Sequence, residues 1–365
     1  MALKCGIIGI TNIGKTTIFN CISKTKAQTS NFAFSASKSN LGIVNVPDKR
    51  LDEISKIEKP EKSIPATVEI VDIPGLAKGA SQGEGIGNKF LDDIQRSDAL
   101  IHVLRCFDDE NLPHIEGSVN PVRDMEIVDL ELQVKDLGMV ERKLARMEKL
   151  VKTGDKDAKK AVEVLKKYIA HFEDFKNARS IDLADSEKEI VDDVYLLTDK
   201  PVVYVCNVDE ASATSGNKYV EMVKDALKSE TSEVLIIAGA LEADISELET
   251  EEERKEFLED AGLSEPGVNR MIRAAYDLLD LQSFLTAGPK ECRAWTIKKG
   301  MNAQEAAGVI HSDLERGFIR AEVIKYDDYI ALGSEKAVKD AGKMHLEGKK
   351  YIVQDGDIMF IRFNV

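Results

Sequence analysis

The stretch Gly9-Ile-Thr-Asn-Ile-Gly14-Lys15-Thr16 constrains this chain more than any other part of it. It follows the apolar run KCGII and opens straight into TIFNCIS, a strand–loop–helix turn that fits G-x-x-x-x-G-K-[ST]. The glycines let successive backbone N–H groups curl around phosphate oxygens, and the helix N-terminus adds positive potential. Lys15 is placed to reach the β and γ phosphates, and the Thr16 hydroxyl to hold Mg2+. Asn12, Ile13, Gly14, Lys15, Thr16 and Thr17 are therefore expected to line a nucleotide site, with Lys15 also catalytic. The runs LGIVNV, ATVEIVD and ALIHVLRC read as buried strands, so the loop is expected to sit on a mostly parallel α/β sheet.

Two later strand ends belong with this loop. VEIVDIPGL stops at Asp72-x-x-Gly75, where the acid is expected to hold Mg2+ through water. Gly75 leaves room there for a backbone N–H to meet the γ-phosphate. Together with the phosphate loop, this specifies a nucleoside triphosphatase of the GTPase class. VVYVCNVDE then ends at Asn207, in the place where GTPases carry N-K-x-D. Val208 replaces the lysine and Glu210 the aspartate, one methylene longer. The carboxylate should miss its paired contact on guanine, and such a mismatch rejects the wrong base strongly. The Asn207 side chain and the backbone near Val208 are expected to meet an adenine edge, with Val208 against the ring. ATP is thus expected over GTP.

Between these strands the language changes. Ile127, Leu130, Val134, Leu137, Val140, Leu144, Met147 and Val151 recur at helical spacing, TGDKDA interrupts, and Ala158, Val162, Leu165, Ile169 and Phe172 resume it. An antiparallel helical hairpin is expected, either packing on itself or offering a coiled coil to a partner. From about 284 the order is strand CRAWTI, a helix near 302–316, strand RAEVIKY, and a hairpin turning at QDGD. That part holds 13 Lys/Arg against 12 Asp/Glu, a net of +1, so the rest of the chain carries −16 of the net −15. An acidic chain argues against a nucleic-acid footprint over the whole surface. Lys298, Lys299, Lys349 and Lys350 are the candidates for a local one. The five cysteines are scattered and read as buried thiols in a reducing cytosol. No signal peptide or membrane span is legible, so a cytoplasmic chain without membrane contact is expected.

The segment LAKGASQGEGIGNKFLDDIQRSD resembles switch II of Obg-type GTPases. With NVDE, the helical insertion, NPVRDMEIVDLEL, LSEPGVNRMIRAAYDLL, FLTAGPKECRAWTI and YIVQDGDIMFIRFNV, the chain resembles the YchF/Obg-like ATPase family over nearly its whole length. The resemblance implies an α/β P-loop NTPase G domain (1–122 and 199–283) split by a helical hairpin insertion (123–198). A C-terminal α+β β-grasp (TGS) domain follows (284–365). It also implies a monomer with weak ATP turnover, bound to the ribosome through rRNA or ribosomal protein in a translation or stress role. The alternative is a nucleotide-switched ribosome- or RNA-binding regulator with ordinary GTP specificity and incidental hydrolysis.

Where Ras-type enzymes place a water-orienting Gln, this chain has Leu76, and the resemblance implies a loop histidine in its stead. The matching residue is His114, between Pro113 and Gly117. Read from residues alone, His114 is equally a solvated loop side chain. His102 reads as structural, and His171, His311 and His345 show no partner for chemistry. In switch I, Ala36 stands where relatives carry a Mg2+-binding Thr, with Ser35 and Ser37 as nearby hydroxyls. Asn12 matches an Asn that related hydrolases use for K+, which makes K+ a possible second cation.

Overall fold

The computed structural model describes residues 3–23, 39–75 and 86–364. The chain divides into two compact units, Met1–Ile43 with Glu69–Met271, and Val44–Val68 with Ile272–Val365. The switch I residues Ser35, Ala36 and Ser37, and Leu76 of switch II, lie outside the described residues.

The first unit takes β1 (Lys4–Ile8), β2 (Asn40–Asn45), β4 (Thr67–Asp72), β5 (Ala99–Arg105), β6 (Val202–Asn207) and β7 (Val234–Ile237). Their order is β2-β4-β1-β5-β6-β7, with β1, β4, β5, β6 and β7 pairing in parallel. Every residue of β5 and β6 is buried, as expected of central parallel strands covered on both faces. A parallel sheet places all its strand C-termini along one edge, and the three motif-bearing strand ends, at Ile8, Asp72 and Asn207, fall there.

Between β5 and β6 the chain forms the expected hairpin, Pro121–Val151 and Lys156–Glu173. Asn120 accepts from Arg123 N–H to cap the first helix, with Pro121 in its first turn, and Asp155 caps the second through Asp157 and Ala158 N–H. The buried face differs from the expected stripe. Leu130 and Val134 are exposed, while Met125, Val128, Leu132, Met139 and Val140 are buried. The N-terminal half of the long helix packs on the sheet unit and uses polar residues there. Gln133 donates to Asn177 Oδ1 (2.8 Å), and Asp136 accepts from Leu197 N–H (2.7 Å) and Thr198 N–H (2.8 Å). Periodicity of apolar residues cannot report a face built partly from such contacts.

The second unit holds β3 (Lys62–Ile64), β8 (Leu281–Thr286), β9 (Glu291–Lys298), β10 (Phe318–Ile324), β11 (His345–Glu347) and β12 (Ile358–Phe363), in the order β11-β10-β12-β8-β9-β3. Helix Ala303–Ile310 packs on it through Ala303, Ala306 and Ala307, against Phe284, Ile297, Phe318 and Met359. A mixed sheet carrying one helix is the α+β arrangement expected of a β-grasp. Two details differ from expectation. The unit includes 44–68 and 272–283, which the sequence reading placed in the G domain. Arg50 explains part of this, since it bridges Asp48 and Asp355 at 2.8 Å each. The QDGD turn does not join two paired strands: β12 pairs with β10 and β8, and Ile352 before the turn bridges Asn302.

Candidate nucleotide-binding site

The phosphate loop begins where β1 ends. Asn12 has φ 60° and Gly14 φ 91°, left-handed conformations that Asn tolerates and Gly adopts freely. A Cβ on Gly14 would also lie 2.3 Å from Asn207 Nδ2, so the position has no room for a side chain. The first helical hydrogen bond is Ile18 N–H to Gly14 O (3.0 Å). The amides of Lys15, Thr16 and Thr17 precede it and are the unpaired donors of a helix start. Gly75 comes in from the end of β4. A Cβ there would meet Thr11 N and Cα at 3.0 Å, so its backbone lies directly against the loop.

Lys15 is buried, with Nζ donating to Ile10 O at 2.5 Å. Burial pushes its ammonium down to about 8, opposed by the charge of Asp72. Burial likewise raises the Asp72 carboxyl, opposed by Lys15 and by hydrogen bonds from Thr16 and Asn40. Thr16 Oγ1 donates to Asp72 Oδ2 at 2.9 Å, which brings the two expected Mg2+ ligands together. Asp72 Oδ1 and Thr11 Oγ1 are buried without a hydrogen-bond partner among the described residues. Buried polar atoms are seldom left so, and these two mark a place built for a missing polar group. A hydrated Mg2+ on a phosphate fits: it keeps most of its waters and takes one or two protein oxygens.

Asn207 is brought to the loop, but as a brace. Its Nδ2 donates to Ile13 O (2.8 Å) and its Oδ1 accepts from Gly239 N–H (2.9 Å). Val208 is buried and its N–H donates to Ile237 O (2.9 Å). The Val208 N–H is thus committed within the protein, whereas Asn207 retains a second Nδ2–H and a second Oδ1 lone pair beyond these two bonds. Glu210 starts a short turn, capped by Asp209, and is exposed. An Asn207→Asp variant would face the Ile13 carbonyl with a second acceptor. We expect it to lower nucleotide affinity at least tenfold and to destabilise the fold by about 1–3 kcal/mol. Calorimetric titration and urea unfolding check both effects, and wild-type values in both would remove the bracing role.

His114 is docked rather than free. Its Nε2 lies 2.8 Å from Asp124 Oδ2, and its Nδ1 accepts from Glu116 N–H at 3.1 Å. Among the described residues, its hydrogen-bond partners include none from the phosphate loop. Sequence reasoning missed what holds its loop. Arg105, buried at the end of β5, donates to Leu112 O (2.8 Å) and Phe107 O (3.1 Å). Asn217 Nδ2 donates to Cys106 O (2.7 Å), and Tyr219 donates to Asp108 (2.8 Å). A lone arginine in the apolar run ALIHVLRC was the one signal that could have found it. His102 is buried beside Tyr204 and burial pushes it down to about 3, in keeping with a structural role.

Residues 4–167 match a family model described as 50S ribosome-binding GTPase, and 281–364 match YchF-GTPase_C, described as a protein of unknown function (DUF933). The chain is 46% identical to the ribosome-binding ATPase YchF of Bacillus subtilis and 47% identical to that of Escherichia coli O157:H7, over the full length of each. It also superposes on the YchF GTPase of Schizosaccharomyces pombe, with a TM-score of 0.85 and 34% identity, covering 99% of this chain and 97% of that one.

Proposed function

This chain belongs to the YchF family, and on that footing we propose that it is a Mg2+-dependent P-loop ATPase that associates with the ribosome. One cluster carries the reading: buried Lys15, the Thr16–Asp72 pair, and the buried oxygens of Asp72 and Thr11 that have no partner among the described residues, with Gly75 close against Thr11. Lys15 and the helix-start amides neutralise the β and γ phosphates. Thr16 and Asp72, already paired, are the residues that would hold the cation. Bound Mg2+ supplies charge neutralisation of the leaving phosphates. His114 orients the attacking water after leaving Asp124, and Asn12 is the candidate K+ contact. Phosphate release from ATP by the purified protein, with Mg2+ and then with EDTA, tests this directly. Turnover undiminished by EDTA would contradict it.

The preference for ATP rests on what the base side withholds from guanine. No lysine covers the ring, because Val208 stands in its place, and Glu210 is one methylene too long. A docked His114 would make turnover slow in the absence of the ribosome, and the proposed role is a nucleotide-dependent one on the ribosome, as a monomer in the cytoplasm. Among the described residues no helix is long and apolar enough to cross a membrane.

For the ribosome, the C-terminal unit is the proposed docking region. Lys298, Lys299, Lys349 and Lys350 are exposed, and Lys299 has a carboxylate near, Asp277 at 3.5 Å. Deletion from 284 would cut β8, so charge reversal is the cleaner test. Replacing Lys298, Lys349 and Lys350 with Glu should reduce co-sedimentation with ribosomes. It should also flatten the salt dependence, by roughly one unit of log–log slope for each phosphate no longer neutralised. Unchanged co-sedimentation at every salt concentration would move the docking region elsewhere.

A further inference from the structure

We propose that Asp124 is a positioning residue that holds His114 in an inactive, docked state, an autoinhibitory contact released when the enzyme commits to hydrolysis. This rests on the catalytic reading of His114 given above. Glu116 N–H donates to Nδ1, so that nitrogen carries no proton, and Nε2–H must be the group donated to Asp124 Oδ2. With both ring nitrogens committed, the imidazole can neither donate to an attacking water nor accept from one. The two side chains are 4% and 2% exposed, so solvent does not reach them either.

The docked state is built from its surroundings. Asp124 lies in the first turn of the long helix, with its N–H on Asn120 O (3.1 Å). Its other carboxylate oxygen accepts from Arg123 Nη2 (3.0 Å) and Nε (3.2 Å). Arg123 in turn donates to Ser118 O (2.6 Å) and Ser118 Oγ (3.1 Å). Upstream, Arg105 fixes the chain as far as Leu112. His114 therefore sits on a short span between two fixed points, with Gly117 at φ 75° and open space around it. Freeing the ring requires three contacts to break, Nε2–H to Asp124 and the Glu116 N–H (3.1 Å) and longer Arg123 Nη2 (3.5 Å) contacts to Nδ1, while the helix and both anchors stay in place. Such a two-state element is what ribosome binding would bias.

Removal of the acceptor should populate the free state. Asp124→Ala is expected to raise ribosome-free kcat roughly tenfold at unchanged KM, the size set by losing one charge-assisted hydrogen bond. Asp124→Asn keeps a weaker, neutral acceptor and should give a smaller rise. Adding His114→Ala to Asp124→Ala should cancel the gain, which a merely structural Asp124 would not produce. If the folded Asp124→Ala protein turns over at or below the wild-type rate while His114→Ala alone is impaired, the inhibitory contact is wrong and the catalytic role stands. If His114→Ala alone keeps wild-type turnover, the catalytic reading falls and the inhibitory one with it. Should Asp124→Ala fail to fold, imidazole 15N shifts of the intact wild-type protein decide the matter. In the absence of ribosomes the Nε2–H form of His114, hydrogen-bonded to Asp124, is expected both without nucleotide and with Mg2+ and a non-hydrolysable ATP analogue. A His114 ring found in another tautomer, or free of Asp124, in the ribosome-free protein with the analogue bound would overturn the proposal.

Discussion

Lys15→Ala is expected to abolish measurable tight binding of ATP while leaving the fold intact. The ammonium lies within the loop, buried, donating to the Ile10 carbonyl with Asp72 as the nearby counter-charge. It is therefore a point charge aimed at where phosphates go, and it contributes little apolar packing. Burying a charge costs free energy unless it is well paired, so its removal should leave stability within about 1 kcal/mol of wild type. A cradle without its lysine still offers amides, but no side-chain cation from the phosphate loop. Isothermal titration and thermal unfolding of the same preparation separate the two effects. Micromolar affinity retained by a folded Lys15→Ala protein would count against the phosphate-loop chemistry.

His114→Ala is expected to behave differently: turnover falls about tenfold or more, and affinity for ATP does not change. A group that meets only the attacking water stabilises the transition state and contributes nothing to ground-state binding. The docked geometry strengthens that expectation, because the ring is engaged by Asp124, Glu116 and Arg123. Single-turnover rates and equilibrium binding, measured with and without ribosomes, give the two quantities independently. A parallel loss of affinity would mean that His114 shapes the nucleotide pocket. Wild-type rates in both conditions would return it to a loop side chain.

What could be read from the chain follows how local each feature is. The phosphate loop and Asp72-x-x-Gly75 were legible because their chemistry is carried by backbone amides and one or two adjacent side chains. Asn207 was found, but not its partners: Ile13 lies 194 residues away and Gly239 32 residues away, neither with a local signal of the contact. The same holds for His114, whose partner Asp124 looked like any acid in a helical first turn. In the hairpin, spacing announced the helix without fixing which face it buries, since Gln133 and Asp136 occupy the covered side. The C-terminal unit was read too short at its start because LQSFLT was not recognised as a strand. Its capture of residues 44–68 had no local signal at all. β3 is three residues long and pairs with β9, far along the chain, and Arg50 finds Asp355 at a separation of 305.

The most direct test is competition between the two nucleotides. Wild-type protein, supplied with ATP and GTP together in the presence of Mg2+, should release phosphate chiefly from ATP and bind it more tightly. A missing lysine over the ring and a displaced carboxylate both penalise guanine, and a mismatched hydrogen-bonding edge discriminates by large factors. EDTA should stop the reaction with either nucleotide. Higher kcat/KM for GTP than for ATP in the same mixture would contradict the assignment of this chain as an ATPase.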